Sequence, residues 1–296
     1  MVADPKASEA EQRSPTLARR ILLLELNRLQ KESGRSVAEI AREMGVDDGT
    51  LGRWLDGKKQ NLRPADLVPL LMVYGYDRAH PMTQQLIKLA LDARQRGIAQ
   101  DRRPWMEKFR FDLFVGLERG ASKLTDVETS IVPGLLQTPD YAEAALRATV
   151  PDIEAGELAE RVAMRMDRQK ILRRSDPLHL TAVLDEAVLH RAPADPTAMR
   201  AQLDHLLTMA DLPHIDVLVV PFRSGLSVGG ESGSFVLMEF TNGVPPVAYS
   251  ETPAQALYVE EEAGILRYRA VIAQLTEDAL AGQAAADLIG AAQEHL

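Results

Sequence analysis

One serine in this sequence lies in a pattern that could support covalent catalysis. Residues 225–229 read GLSVG, which satisfies the G-x-S-x-G pattern of serine hydrolases with Ser227 as the nucleophile. That motif requires a helix directly after the serine, but here a glycine-rich stretch continues into an apolar, strand-like segment. It also requires a histidine after the serine, where this sequence has only His295. We therefore expect Ser227 to lie in a hairpin loop and keep a serine hydrolase only as a third alternative.

The other polar clusters fit structural roles better than catalytic ones. Glu186 and His190 stand four residues apart, as two metal ligands could on a helix, but no third ligand follows at a useful spacing. Four arginines between residues 165 and 174 share a predicted helix with acidic residues. This favours a solvated face of ion pairs, with an anion or partner site as the secondary interpretation. With no cysteine and no phosphate-binding loop in the sequence, we expect no enzyme activity, no metal and no cofactor.

The composition is that of an ordinary soluble protein, but its charge is unevenly distributed. Of the 296 residues, 46% are hydrophobic and 26% are charged, and the net charge is −9. Residues 1–104 carry 18 Lys and Arg against 14 Asp and Glu, whereas residues 105–296 carry 16 against 29. Only the first part is therefore suited to approach a polyanion. The apolar run at residues 21–26 is too short to cross a membrane, so we expect a cytoplasmic protein.

The stretch from residue 36 to residue 57, SVAEIAREMGVDDGTLGRWLDG, predicts two short helices joined by a tight turn. Ser36 and Glu39 form the S-x-x-E pattern of a capping box, which starts the first helix. Gly45 can adopt the left-handed backbone that ends this helix, and Asp47 is suited to cap the second one. Small and apolar residues at helical spacing supply the inner faces of the two helices, namely Ala41, Leu51 and Trp54.

Helical periodicity and turn residues predict the organisation of the whole chain. Residues 1–13 are polar and charged, which indicates a disordered tail. Five helices are predicted over residues 14–96, the fourth of them capped by Asp66, and the polar stretch 97–104 indicates a linker. Residues 105–296 then predict an acidic regulatory or dimerisation domain. The fold class that follows is α+β and predominantly helical, with a small, mostly antiparallel sheet in the second domain.

The second domain is predicted to begin with a helix from Trp105 to Leu124, followed by a short strand near residues 126–131. Three later strands are predicted at residues 215–221, at residues 235–240 and around residues 247–250. A glycine-rich loop and a turn separate them, and their order indicates an antiparallel meander.

The stretch from residue 36 to residue 57 resembles the helix-turn-helix of the XRE family, the phage-repressor-like regulators, and the resemblance covers residues 14–96. It implies that the second helix of the motif enters the major groove of double-stranded DNA and that the protein binds as a two-fold dimer. Carried over position by position, the resemblance places Arg53, Asp48 and Gly49 where family members read bases.

Arg53 is expected to make the specific contact, a bidentate pair with guanine, because Gly49 offers no side chain and Asp48 can accept only from a cytosine amino group. The alternative for Arg53 is a solvated helix charge. The resemblance also implies that Thr50 and Lys58 face phosphates. Three further cations are candidates either for phosphate contacts or for exposed surface charges, namely Arg42, Lys59 and Arg63.

The second domain resembles a regulatory domain that follows an XRE-type motif in many actinobacterial (Streptomyces-type) regulators. The segments that carry the resemblance are VPGLLQTPDYA at residues 132–142, R-x-x-R-Q at residues 165–169 and LDEAVL at residues 184–189. Such regulators are often described as antitoxin-like, with a small partner protein encoded nearby. The resemblance implies a role for the domain but names no ligand.

Together these observations predict a homodimeric, DNA-binding transcriptional regulator, located in the cytoplasm and on the nucleoid when bound to its operator. Its second domain is expected to dimerise and to sense a small-molecule effector or a partner protein. The alternative is an antitoxin-like interaction module that binds a small partner protein, with DNA binding secondary. The sequence does not distinguish an activator from a repressor.

Overall fold

A computed structural model describes residues 14–59, 62–95, 104–107, 111–150, 152–191, 196–225, 232–241, 243–252 and 254–296 of the chain. The chain forms two compact units that divide after Gly120. The predicted tail at residues 1–13, the predicted linker apart from Pro104, and Ser227 lie outside the described residues.

Five helices of the first unit pack around one apolar core, as the five-helix prediction required. They are α1 (Pro15–Glu32), α2 (Val37–Met44), α3 (Asp48–Leu55), α4 (Pro64–Val73) and α5 (Pro81–Asp92). Each helix contributes at least one fully buried residue to this core, for example Leu26, Ile40, Leu51, Leu70 and Leu86. Burial of these side chains fixes the two motif helices, α2 and α3, within the bundle.

Helix α4 begins earlier than predicted. Pro64 occupies its first position, where the fixed φ of proline suits a helix start, and Arg63 stands at the cap position. Asp66 is therefore the third helical residue, and its carboxylate accepts a hydrogen bond from the backbone N–H of Arg63 at 3.0 Å. The prediction of a cap at Asp66 was wrong because proline supplies the start two residues earlier.

The single helix predicted from Trp105 to Leu124 is replaced by two short helices and the start of a strand. Helix α6 covers Pro104–Glu107, helix α7 covers Phe111–Gly120, and a strand begins at Lys123. Helix α7 lies in the first unit, so the structural division falls later in the chain than the predicted linker.

Helix α7 packs against α1 at very short range because it presents glycines four residues apart. A methyl group added at Gly116 would lie 2.1 Å from the hydroxyl oxygen of Thr16, and one added at Gly120 would lie 2.7 Å from the Leu17 side chain. The Ser14 hydroxyl, which caps α1 by accepting from the Leu17 N–H, donates to the Gly116 carbonyl. The absence of side chains at these glycines is therefore required by the contact.

The second unit is built on one six-stranded mixed sheet. Its strands are β1 (Lys123–Glu128), β2 (His179–Asp185), β3 (Ile215–Val220), β4 (Phe235–Glu239), β5 (Val247–Glu251) and β6 (Ala256–Val259). Their order across the sheet is β3-β2-β1-β4-β5-β6. Strands β1, β2 and β3 are parallel because helical connections separate them, whereas β4 to β6 form an antiparallel meander.

This arrangement confirms the predicted α+β class, with three of the five strand pairings antiparallel. Three details differ from prediction. Strand β1 starts at Lys123 rather than near residue 126, and the edge strand β6 was not predicted. Strand β3, predicted as the first strand of the meander, instead pairs in parallel with β2, because the helical segment before it forms a crossover connection from β2.

Six helices of the second unit connect the parallel strands or follow the last strand. They are α8 (Pro139–Thr149), α9 (Ala155–Arg168), α10 (Ala187–His190), α11 (Pro196–Ala210), α12 (Glu262–Asp278) and α13 (Gly282–Glu294). Helix α12 covers one face of the sheet, where Leu275 is buried in a cluster with Val127, Val183 and Val220. None of the helices among the described residues is long and apolar enough to span a bilayer.

The close contact between α1 and α7 can be tested with a single methyl group. Gly116→Ala is expected to lower the free energy of unfolding by about 1–3 kcal/mol, because the added methyl overpacks the contact. Rotation of the Thr16 hydroxyl cannot relieve it, since the Thr16 Cβ would also lie at 2.6 Å. Urea unfolding followed by circular dichroism measures the change. Gly156→Ala in α9 is the matched control, because nothing lies within 4 Å of its added methyl. Equal effects of the two substitutions would contradict the close contact.

Candidate nucleic-acid interface

Helix α2 begins with a complete capping box and ends in a tight turn. The Ser36 hydroxyl accepts from the Glu39 N–H at 3.3 Å, and the Glu39 carboxylate accepts from the Ser36 N–H at 2.8 Å. The hydrogen bonds from the Ser36 side chain and backbone lower the pKa of Glu39. Gly45 takes the left-handed conformation, with φ of 68°, that turns the chain towards α3.

The inner faces of α2 and α3 are fully used for packing. Ala41, Leu51 and Trp54 are all buried in the core of the first unit. Trp54 is 5% exposed, so its ring belongs to the core and is not available for stacking on bases. The outer face of α3 is therefore the part of the motif that can meet a ligand.

That outer face begins at the cap of α3. The Asp47 carboxylate accepts the Thr50 N–H at 2.7 Å and also accepts the Thr50 hydroxyl. These hydrogen bonds from the Thr50 side chain and backbone lower the pKa of Asp47. Asp48, Gly49 and Arg53 are exposed. The three positions assigned to base reading by resemblance thus share one accessible surface.

Arg53 does not extend freely into solvent. Its Nη2 donates to the Thr50 hydroxyl oxygen at 2.8 Å, and that hydroxyl in turn donates to the Asp47 carboxylate. The three side chains form a chain of hydrogen bonds from the helix cap to the guanidinium group. Thr50, assigned to phosphates by resemblance, engages its hydroxyl within the helix instead. Because these hydrogen bonds already order the Arg53 side chain, it loses less conformational entropy when it binds a base edge.

Gly49 has a steric role that the sequence alone does not reveal. A methyl group at this position would lie 3.2 Å from the Asp47 carboxylate and 3.7 Å from Nη1 of Arg53. The first distance is tight and the second is an ordinary van der Waals contact, so the glycine leaves room for the Asp47 carboxylate. A methyl group at Gly52, three residues later, would meet nothing within 4 Å.

The cations beyond α3 are paired with carboxylates. Lys58 lies 3.0 Å from Asp56, whereas Lys59 and Arg63 both lie 3.1 Å from Asp66. The Lys59 ammonium also stands 4.5 Å from the centre of the Trp54 ring. Arg42 is exposed on α2. The four cations assigned to phosphate contacts thus all reach the surface, but Lys58, Lys59 and Arg63 already have acidic partners.

Sequence reasoning named Asp66 only as a helix cap and missed its pairing with Lys59 and Arg63. Partial burial raises its pKa, but hydrogen bonds from Arg63 and Lys59 outweigh this effect and lower the pKa to about 2. The carboxylate therefore stays ionised and joins the loop after α3 to the start of α4. Its three-residue spacing from Arg63 was the available signal, whereas its contact with Lys59 depends on the fold.

Comparison with known proteins assigns a family to each part of the chain. The family described as "Helix-turn-helix domain" matches residues 21–80, which include α2, α3 and α4. The family described as "Domain of unknown function (DUF5753)" matches residues 111–291, more than half of the chain. The chain belongs to this DUF5753 family. No curated protein and no solved structure matches it. The helix-turn-helix match supports a DNA-binding regulator, and its residues contain the whole surface described above.

The Asp66 carboxylate, which pairs with Lys59 and Arg63, makes the stability of this DUF5753 protein depend on pH. Asp66→Asn is expected to lower the free energy of unfolding by about 1–2 kcal/mol at pH 7. The folded-state pKa of Asp66 lies below its ordinary value of 3.8. Its contribution is therefore present above about pH 4 and is lost as the pH falls towards 2, where the variant and the wild type should converge.

Thermal unfolding at pH 7, 4 and 2.5 measures this difference. Asp56→Asn is the matched control, because it removes an exposed carboxylate beside Lys58 and is expected to change stability little. A loss for Asp66→Asn that is as large at pH 2.5 as at pH 7 would show that the ion pairs are not its cause.

Proposed function

We propose that this protein is a sequence-specific transcriptional regulator that binds operator DNA as a homodimer. The observation that carries the proposal is Arg53, exposed on the outer face of α3 and held 2.8 Å from the Thr50 hydroxyl. A guanidinium held in this way keeps further N–H groups for O6 and N7 of guanine. Asp48 can accept from a cytosine amino group. Gly49 supplies space for the Asp47 carboxylate rather than a contact of its own.

We further propose that the second unit dimerises and senses a small molecule or a partner protein. Two recognition helices must meet half-sites about one helical turn apart, so a signal that alters their spacing or orientation changes affinity. The acidic balance of residues 105–296 supports a unit that stays away from the phosphates. In this proposal the protein acts in the cytoplasm, associates with the nucleoid when bound and catalyses no reaction.

The second candidate is an antitoxin-like interaction module, similar to the actinobacterial regulators. The observation that favours it is the pairing of Lys58, Lys59 and Arg63 with carboxylates, which reduces the positive charge available to DNA phosphates. In that case the protein binds a small partner protein, and its DNA binding is secondary.

The first test is Arg53→Ala in a binding series on the DNA upstream of the protein's own gene, at 50 to 300 mM salt. For the wild type we expect affinity to fall steeply with salt because lysines and arginines release counterions from DNA. For the variant we expect the preference for operator over scrambled DNA to fall by roughly 10-fold or more, as for the loss of one bidentate base contact.

Arg78→Ala is the matched control, because Arg78 is an exposed arginine of the same unit outside the motif. It should leave the operator preference unchanged. Absent or salt-insensitive DNA binding, together with tight binding of a small protein encoded beside it, would instead favour the interaction module.

The second test concerns the space at Gly49. Gly49→Ala is expected to reduce operator preference several-fold, because its methyl group crowds the Asp47 carboxylate, which positions Arg53 through the Thr50 hydroxyl. Gly52→Ala adds the same methyl group to the same helix in open space, and it should leave the preference unchanged. Alanine favours a helix interior by roughly 0.5–1 kcal/mol over glycine, so unfolding cannot explain a loss of binding in either variant. Equal operator preference in the two variants would rule out this role for Gly49.

A further inference from the structure

Strand β3 forms one edge of the six-stranded sheet, and its outer side faces a helix rather than another strand. On its inner side β3 pairs in parallel with β2, where the Leu180 N–H donates to the His214 carbonyl at 2.9 Å. On its outer side Val219 exchanges two hydrogen bonds with Leu280, donating at 3.0 Å and accepting at 2.7 Å. This bridge stands just before α13 and covers one residue of the edge.

Val217 lies two residues before this bridge and turns its backbone to the same side. Alternate residues of a strand direct their N–H and C=O groups to the same edge, so Val217 and Val219 both point away from β2. Val217 is only 5% exposed, and no group in the described parts of the chain makes a hydrogen bond to its N–H or C=O. Buried backbone groups are nearly always paired. A partner from outside the chain is therefore expected for this donor and this acceptor.

A cavity of about 120 Å³ lies along this part of the edge. The backbone of β3, one face of α13 and the last turn of α11 form its walls. Among the described residues that line it, every side chain is apolar except that of Asp216, which is exposed. A space of roughly 150 Å³ holds a benzene molecule, so about five or six heavy atoms fit here. The cavity thus combines apolar walls with the two backbone groups of Val217.

Small residues on α13 keep this space open, and the same helix limits what can enter it. Ala285 and Ala286 line the cavity on the side of α13, between Gly282 and Ile289 one turn away in each direction. Because α13 follows the Leu280 bridge and lines the cavity opposite the strand, a peptide could pair with β3 only by displacing this helix. The volume is also too small for several residues of an added strand. A small molecule is therefore the occupant that fits.

We propose that this cavity binds a small, neutral molecule with a primary carboxamide on a short apolar chain. A carboxamide carries one acceptor oxygen and two N–H donors, so it can accept from the Val217 N–H and donate to the Val217 carbonyl. Its chain of about three carbons contacts Leu207, Ala285 and Ile289. An alkylamine lacks the acceptor, whereas a carboxylate lacks the donor and is repelled by Asp216. The role of this ligand as an effector rests on the proposed function, but its binding does not.

Titration of the isotope-labelled full-length chain with butyramide, followed by NMR, tests the proposal. Saturable shifts are expected for the backbone amides of Val217, Ala285 and Ile289, with the Val217 N–H proton moving downfield as it forms a hydrogen bond. Affinity should rise roughly 10-fold from acetamide to butyramide, because two more CH₂ groups are buried. Butyrate, butylamine and N,N-dimethylbutyramide should each bind roughly 10-fold more weakly than butyramide, because each leaves a Val217 backbone group without a partner.

Ala286→Leu tests the position of the site, because the larger side chain at this lining residue fills the cavity. We expect it to weaken butyramide binding by roughly 10-fold or more. Ala284→Leu is the matched control, because Ala284 is an exposed residue of the same helix that does not line the cavity, and it should bind as the wild type does. If Ala286→Leu fails to fold, the comparison of butyramide with N,N-dimethylbutyramide on the wild-type chain decides.

No saturable shift at Val217 at the highest soluble butyramide concentration would overturn the proposal. Equal binding of butyramide and N,N-dimethylbutyramide, or binding that survives in a folded Ala286→Leu variant, would overturn it as well. Operator binding at fixed salt is measured separately, with and without butyramide. Salt-dependent operator binding without amide binding refutes only this inference, and amide binding without operator binding refutes only the proposed function.

Discussion

The carboxylate of Asp47 controls both the start of the recognition helix and the position of its outward-facing arginine. It accepts the Thr50 N–H at the helix start at 2.7 Å, and it also accepts the Thr50 hydroxyl. That hydroxyl receives Nη2 of Arg53. A local requirement of helix capping thus orders a long side chain one turn away. Gly49 completes the arrangement, because a methyl group there would lie only 3.2 Å from the Asp47 carboxylate.

Ion pairs on the first unit limit the positive charge with which it can attract a polyanion. Asp66 holds Lys59 and Arg63 in defined places rather than leaving them to move in solvent. Phosphates must compete with this carboxylate, so the non-specific affinity gained from these cations is reduced. Under the proposed function, discrimination between sequences then depends more on Arg53, on the spacing of half-sites and on DNA shape. The same pairing explains why the antitoxin-like module is the second candidate.

In the second unit, three glutamine side chains hold one irregular segment in place. Gln202 is fully buried, donates to the Leu136 carbonyl at 2.7 Å and accepts from the Thr138 N–H at 2.7 Å. Together with Gln137 and Gln169 it satisfies backbone groups of the loop between β1 and α8, which regular secondary structure leaves without partners. The motif VPGLLQTPDYA is therefore a structural device, and one of its consequences is the fixed position of Arg165.

Local features of this protein were determined by the sequence, because they depend on residues three or four positions apart. The capping box at Ser36 and Glu39, the turn at Gly45 and the cap at Asp47 are of this kind, as are the helices and most strands. The candidate site was predictable only as a set of positions on one helix. The tertiary structure alone decided which distant groups meet: the parallel pairing of β1 to β3, the contact of Lys59 with Asp66, the packing of α7 on α1, and the hydrogen bond from Arg165 to Gln137. Such contacts depend on how separate elements pack, and a pattern of short spacings carries no information about that packing.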